Sequence, residues 1–147
     1  MIRIIVVGKL NQKYLHEGIQ YYQKQLPVKL EWIEVIDEPD ITGKDIEGIR
    51  ILSKIKESDQ VILLAIEGVL HDSKSFSDQI NKMTTYGTGD LVFVIGGSYG
   101  VSDAIKTRAN HLISFSKMTF PHQLMRLILI EQIYRAYMIM KNHPYHK

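Results

Sequence analysis

The chain has no cysteine, and only four prolines and one tryptophan in 147 residues. Without cysteine there is no disulfide framework, no thiolate nucleophile and no cysteine-ligated zinc. Nor does any uninterrupted apolar run reach the roughly 20 residues that cross a bilayer. The opening Met1-Ile-Arg-Ile-Ile-Val-Val-Gly8 is too short for a secretory leader and runs straight into Lys9. These absences set the expectation of a cytoplasmic protein that makes no membrane contact. Hydrophobic residues make up 45% and charged residues 23%, which argues against wholesale disorder. No repeat, low-complexity tract or linker interrupts the chain, so residues 1–147 are read as one domain able to bury a core.

Familiar ligand and catalytic motifs are missing too. The six histidines (His16, His71, His111, His122, His143, His146) fall into no H-E-x-x-H or other common metal spacing, and no metal is expected. Ser98 sits in no G-x-S-x-G elbow, which leaves a serine hydrolase unsupported. Gly8-Lys9 lacks the P-loop spacing. The cluster Gly96-Gly97-Ser98-Tyr99-Gly100 is not G-x-G-x-x-G, and it follows the fourth strand rather than the first, a poor match to a dinucleotide fingerprint. Its glycines suit close backbone approach to a ligand, and equally an ordinary tight strand–helix turn.

What is present is an alternation of strands and helices. Residues 2–7 form a β-branched run ending at Gly8. Leu15, Ile19, Tyr22 and Leu26 recur at helical spacing, and Pro27 closes that helix. A strand around Leu30–Ile36 carries Glu31 and Glu34, so one face or edge meets water. After the turn-rich Asp37–Gly43, a stripe of Ile46, Ile49, Leu52 and Ile55 marks a second helix. Val61–Ile66 is a continuous apolar strand ending at Glu67-Gly68. Phe76, Ile80 and Met83 make a third helix, with Asp72 or Ser73 as its N-cap. Leu91–Ile95 is a second fully apolar strand, Ser102 caps a short helix over Asp103–Ala109, and Leu112–Phe115 is the fifth strand. The pattern predicts an α/β fold with a mostly parallel sheet and helices on both faces.

The last third is unlike the rest. Leu112–Arg126 reads as a short strand, a polar loop and the first turn of a long helix, with Pro121 as the first helical residue. Amides at that helix start suit a polar ligand, and a plain strand–helix connection fits as well. From about Pro121 to Lys141 apolar residues cover the whole circumference, so the helix needs cover on more than one side. A second subunit supplies it, or a central position within one chain does. The polar exceptions come as i, i+4 pairs, His122 with Arg126 on one face and Glu131 with Arg135 on the roughly opposite one. Glu131–Arg135 fits a structural ion pair as well as a catalytic role. The tail Asn142-His-Pro-Tyr-His-Lys147 suits stacking on a nucleobase, or is a frayed end. Residues 1–100 carry a net charge of −3 and residues 101–147 a net of +5, which fits an RNA-facing end or a plain solvated surface.

Three segments taken together resemble one family. They are Phe93-Val-Ile-Gly-Gly-Ser98 with Gly100, then Leu112-Ile-Ser-Phe-Ser-Lys-Met-Thr-Phe-Pro-His-Gln-Leu-Met-Arg126, then Glu131-Gln-Ile-Tyr-Arg-Ala136 with the Asn142–Lys147 tail. They are similar to the ribosomal RNA large-subunit methyltransferase H family of the SPOUT superfamily, and the resemblance runs from Val7–Leu10 to the final residue. It implies a Rossmann-like domain with a C-terminal trefoil knot, working as a homodimer. The activity it implies is methyl transfer from S-adenosylmethionine to N3 of a pseudouridine in the large-subunit rRNA, in the subunit-interface stem-loop of the assembled ribosome. By resemblance, Leu64, Gly96 and the loop Phe115, Ser116, Lys117, Met118, Thr119 and Phe120 bind the cofactor. His122, Glu131, Arg135, Tyr145 and His146 are the implied catalytic and RNA-facing set, with Lys147 beside them. His146 or His122 accepts the N3 proton, or Arg135 stabilises the developing charge with Glu131 orienting it.

Three departures from the family pattern stand out: a shorter connector around Asp37–Glu47, Tyr99 where Asn or Glu is expected, and a terminal Lys147 in place of Arg. Two other readings stay open, a non-catalytic RNA- or ribosome-binding protein and a SPOUT methyltransferase with a different RNA target.

Overall fold

The strand β1 (Ile2–Val7) shows how side-chain alternation builds two hydrophobic layers. Ile2, Ile4 and Val6 join one buried cluster, while Ile5 and Val7 join the other. The computed structural model, which describes residues 1–147, repeats this device in β4 (Leu91–Ile95), where Leu91, Phe93 and Ile95 face one side and Val92 and Val94 the other. A strand buried on both faces has no polar alternation, which is why its sequence is a continuous apolar run.

The remaining elements are α1 (Lys13–Gln23), β2 (Leu30–Val35), a one-turn 3-10 helix at Ile41–Gly43, α2 (Lys44–Leu52), β3 (Gln60–Leu70), α3 (Ser73–Tyr86), α4 (Asp103–Arg108), β5 (His111–Ser114) and α5 (His122–Met140). The sheet order is β2-β1-β4-β3-β5, and all four pairings are parallel. Buried residues of α1, α3 and α5 share the larger cluster, and those of α2 and α4 share the smaller. The expected parallel α/β architecture with two covered faces is therefore present, with β2 and its two glutamates at an edge.

Several boundaries differ from the sequence reading for identifiable reasons. Strand β3 does not end at Glu67-Gly68. Its partner Ile113 pairs with Leu64 and again with Val69, so residues 65–68 bulge out between the two contacts. Gly68 makes this possible, because a Cβ there would lie 2.7 Å from the backbone nitrogen of Ile113. The α2 stripe is also turned. Gly48 and Ile51 are buried, whereas Ile49 is 67% exposed and Ile46 is exposed with it. Ser102 precedes α4 but makes no capping bond; its Oγ is buried close to Gly48. Asp72 does cap α3, accepting the Ser75 amide at 2.8 Å. Pro121 stands one position earlier than expected, at the N-cap with an extended ψ of 135°.

Helix α5 packs between α1 and α3 on the sheet. Leu127 presses on Gly18 of α1, and Ser77 of α3 donates to the Ala136 carbonyl at 2.8 Å. Neighbouring helices thus cover both flanks, as the reading of a central helix within one chain expects. No side chain of α5 is fully exposed. The helix ends in a Schellman motif. Asn142 takes φ 55°, the His143 amide donates to the Met138 carbonyl, and the Asn142 amide donates to the Ile139 carbonyl. That cap turns the tail back along the helix instead of leaving it to fray.

Candidate active site

At the C-terminal ends of β3, β4 and β5 lies a cleft of about 720 Å³. This is the end of a parallel sheet where loops can converge on a ligand. Leu64 enters from β3, Gly96 from the turn after β4, and Phe115, Ser116, Met118, Thr119 and Phe120 from the loop after β5. Lys117 belongs to the same loop but is not part of the lining. The loop is shaped by its own polar groups: Ser114 Oγ donates to the Ser116 carbonyl at 2.8 Å, and the Met118 amide donates to Ser116 Oγ at 2.9 Å. Phe115 is anchored edge-on against Phe76 of α3, with ring centroids 5.1 Å apart. Opposite, the glycine turn is tight enough that a Cβ on Gly96 would meet Val101 at 2.7 Å. A flat, largely apolar ligand with a few polar edges fits such a volume and lining.

His122, the first residue of α5, lines the same cleft. Its Nδ1 lies 3.5 Å from Ser98 Oγ. Burial, then the neighbouring Arg126 charge, hold its pKa below the ordinary histidine value, against the opposing pull of Asp37 and Glu47. Arg126 itself is 2% exposed and points inward, donating to the Val7 and Gly8 carbonyls at 2.9 Å each and pairing with Glu34 at 3.2 Å. It ties the start of α5 to the end of β1.

The other sequence-predicted residues form a second group. Arg135 Nε donates to Glu131 Oε1 at 2.9 Å, and the Tyr145 hydroxyl donates to the same oxygen at 3.2 Å. The Arg135 guanidinium stacks over the Tyr145 ring at 4.8 Å and lies 3.1 Å from His146 Nδ1. Glu131 is the main reason the Arg135 pKa is raised, and burial does the same to the Tyr145 phenol. The group is held by the folded-back tail. Thirteen helical steps separate His122 from Arg135, about 20 Å along the axis. Within one chain, then, the cleft with His122 and the Glu131–Arg135–Tyr145–His146 group are two places.

Lys44, Tyr99, Lys106 and Glu67 also line the cleft, and Lys106 pairs with Glu67 at 3.1 Å. The sequence reading assigned none of them to the site. Lys44 lies on the helix whose stripe was turned, and Glu67 lies in the bulge. No group of three or more His, Asp and Glu side chains is placed to hold a metal ion.

A family model described as predicted SPOUT methyltransferase matches residues 1–146. The chain belongs to the SPOUT methyltransferase family. As a methyltransferase of that family it uses S-adenosylmethionine. It is 53% identical to a protein named ribosomal RNA large subunit methyltransferase H from Acholeplasma laidlawii, over 146 residues and 99% of each chain. Proteins of the same name from Latilactobacillus sakei and Bacillus pumilus are 53% and 52% identical, each over 157 positions covering 99% of each chain. Those alignments exceed the 147 residues of this SPOUT protein, so both relatives carry extra residues. Among solved structures, a probable methylase family protein from Haemophilus influenzae superposes with a TM-score of 0.55 at 11% identity, over 96% of this chain and 66% of that one. That likeness speaks for the fold.

Proposed function

We propose that this SPOUT protein methylates N3 of a pseudouridine in large-subunit ribosomal RNA, in the subunit-interface stem-loop of the assembled ribosome. The observation that carries the reading is the cleft itself, where Leu64, Gly96 and the 115–120 loop meet His122 at the C-terminal edge of the sheet. The relatives' shared name supports the RNA target. In this reading Leu64, Phe115 and Met118 give apolar cover to an adenosyl group, and main-chain groups of Gly96 and residues 115–120 read its polar edges. Lys117 faces outward from the loop, toward RNA phosphate. When bound, S-adenosylmethionine supplies an electrophilic methyl group on a sulfonium.

The chain is proposed to work as a homodimer. Leu124, Ile128 and Ile139 form an outer stripe of α5 that is half-buried and outside both core clusters. A second copy docked on that stripe offers its Glu131–Arg135–Tyr145–His146 group to the cleft, a distance one chain does not bridge. There Arg135, oriented by Glu131, stabilises negative charge on the uracil carbonyls flanking N3, and Tyr145, His146 and Lys147 hold the base.

Calorimetry with S-adenosylmethionine and mass spectrometry of rRNA from a deletion strain test the proposal. The expected results are binding by the wild-type protein and loss of one methyl group at a large-subunit pseudouridine. Arg135→Ala and His146→Ala are expected to keep cofactor binding and lose methyl transfer by about 100-fold or more. Binding without that methyl group being lost indicates another RNA target, and no cofactor binding indicates a non-catalytic ribosome-associated protein.

A further inference from the structure

Behind the glycine turn lies a carboxylate of which the fold uses only one oxygen. Glu47, on α2, is 3% exposed. Its Oε2 accepts the Glu38 amide at 2.7 Å, while its Oε1 is buried with no hydrogen-bond partner. That free oxygen lies against the glycine turn that lines the cleft, since a Cβ on Gly97 would stand 3.4 Å from it. The guanidinium carried by the same helix, Arg50, is engaged instead by Glu38 at 2.9 Å. An uncompensated buried carboxylate costs stability, and packing alone would be served better by an uncharged side chain.

A second carboxylate lies on the same side. Asp37 follows β2, and its carboxyl carbon would be 3.6 Å from a Cβ on Gly8. Both carboxylates act on His122, favouring its protonated form against burial and Arg126. The groups around the ring can be named element by element. Ser98 and Tyr99 come from the glycine turn, Lys44 and Glu47 from α2, Asp37 from the connector, and Arg126 from α5, with Glu34 of β2 paired to Arg126.

We propose that Glu47, buried behind Gly97, and Asp37, exposed beside Gly8, are positioning residues whose negative field lets His122 accept the N3 proton of the target uracil ring as methyl transfer proceeds. This rests on the cleft being the methyl-transfer site. In this role Nδ1–H donates to Ser98 Oγ, 3.5 Å away, and Nε2 carries the lone pair that accepts. The N3–H bond breaks and its proton joins Nε2. The freed N3 electron pair forms the N–CH3 bond, and the S–CH3 pair departs with sulfur as a neutral thioether. Burial and Arg126 favour the neutral resting ring, free to accept a proton, and the two carboxylates stabilise the imidazolium once it forms. The cost of burying Glu47 is then recovered in the transition state.

The test uses full-length protein with isotope-labelled histidine and the variants Glu47→Gln, Asp37→Asn and their combination. Glutamine preserves shape and can still accept the Glu38 amide. The His122 resonance is expected to titrate at lower pH in each single variant and lower still in the double variant, with the other five histidines unmoved. Methyl transfer to assembled ribosomes is expected to fall about ten-fold or more. The acidic limb of its pH profile should move to lower pH, while S-adenosylmethionine affinity and Tm do not fall. An unchanged His122 midpoint overturns the proposal. So does a rate loss that tracks a loss of Tm with the acidic limb unmoved. If the wild-type protein transfers no methyl group to that RNA, the functional reading fails and the proton-acceptor role with it, whereas the coupling of Glu47 and Asp37 to His122 is still decided by the titration.

Discussion

At His122 the resting charge state is decided by opposed local forces, and the result should be visible in stability as well as in chemistry. Its folded pKa lies below the ordinary value of 6.5, chiefly through burial and then through Arg126. As pH falls past that ordinary value, the unfolded chain takes up a proton that the folded chain still refuses. Stability therefore falls with pH until the folded midpoint is passed, and no further on account of this group. The loss of urea resistance between about pH 7.5 and about pH 5.5 should be larger in the wild type than in His122→Asn. Equal losses would show that the ring titrates alike in both states. His122, Glu131, Arg135, Tyr145 and His146 were named from sequence by their place in a family pattern. Asp37 and Glu47 were not, because nothing in a linear reading sets a connector aspartate and an α2 glutamate beside a residue 75 or more positions away. Arg3 escaped for a related reason. It lies inside an apolar run, yet it is buried and bonded to Asp59, Asp90 and the Lys54 carbonyl.

Strands buried on both faces were legible because their composition leaves little alternative, and the stripes of α1 and α3 were legible too, whereas the facing of α2 was not. In α2 the visible stripe was Ile46, Ile49, Leu52 and Ile55, but the helix turns Gly48 and Ile51 inward and leaves Ile49 in solvent. A glycine carries no hydropathic signal, so close packing through Gly48 against Ser102 was invisible. The β3 bulge was hidden likewise, since Glu67-Gly68 read as a strand end. Its key is Gly68, whose missing Cβ lets the chain pass the backbone of Ile113. Gly68→Ala forces backbone against backbone in the β3–β5 pair, at an expected cost of about 2 kcal/mol. Because Leu64 and Phe115 flank that pair, S-adenosylmethionine affinity should weaken as well. Urea denaturation and calorimetry on the one variant check both, and wild-type values in both would show that the bulge relaxes freely. The tail gained definition for a reason also visible only in three dimensions: the left-handed Asn142 aims Tyr145 and His146 back at Glu131 and Arg135.

For the molecule as a whole, the separation of the cleft from the Arg135 group gives the dimer a sharp test. Ile128→Glu places a charge in the outer stripe of α5 and should yield a folded monomer in light scattering, with S-adenosylmethionine binding kept and methyl transfer lost. Mixing Gly96→Val, aimed at the cleft, with Arg135→Ala, aimed at the other group, should restore transfer through the one intact site of each mixed dimer. Persistent inactivity of the mixture would place both groups at a site within one chain. The position of α5 carries a further consequence, for how the protein comes into being. Leu129, Ile130, Ile133 and Ala136 complete the larger hydrophobic cluster, yet they are synthesised after every strand of the sheet. Until α5 docks, a growing chain displays the apolar face formed by Ile2, Ile4, Ile62 and Phe93 with only α1 and α3 beside it. Parallel sheets built from distant segments assemble slowly, and an uncovered face in that interval invites self-association. Chaperone demand during translation should accordingly be greatest just before the last helix emerges, and substitutions that slow α5 docking should reduce soluble yield more than they reduce the stability of the finished protein.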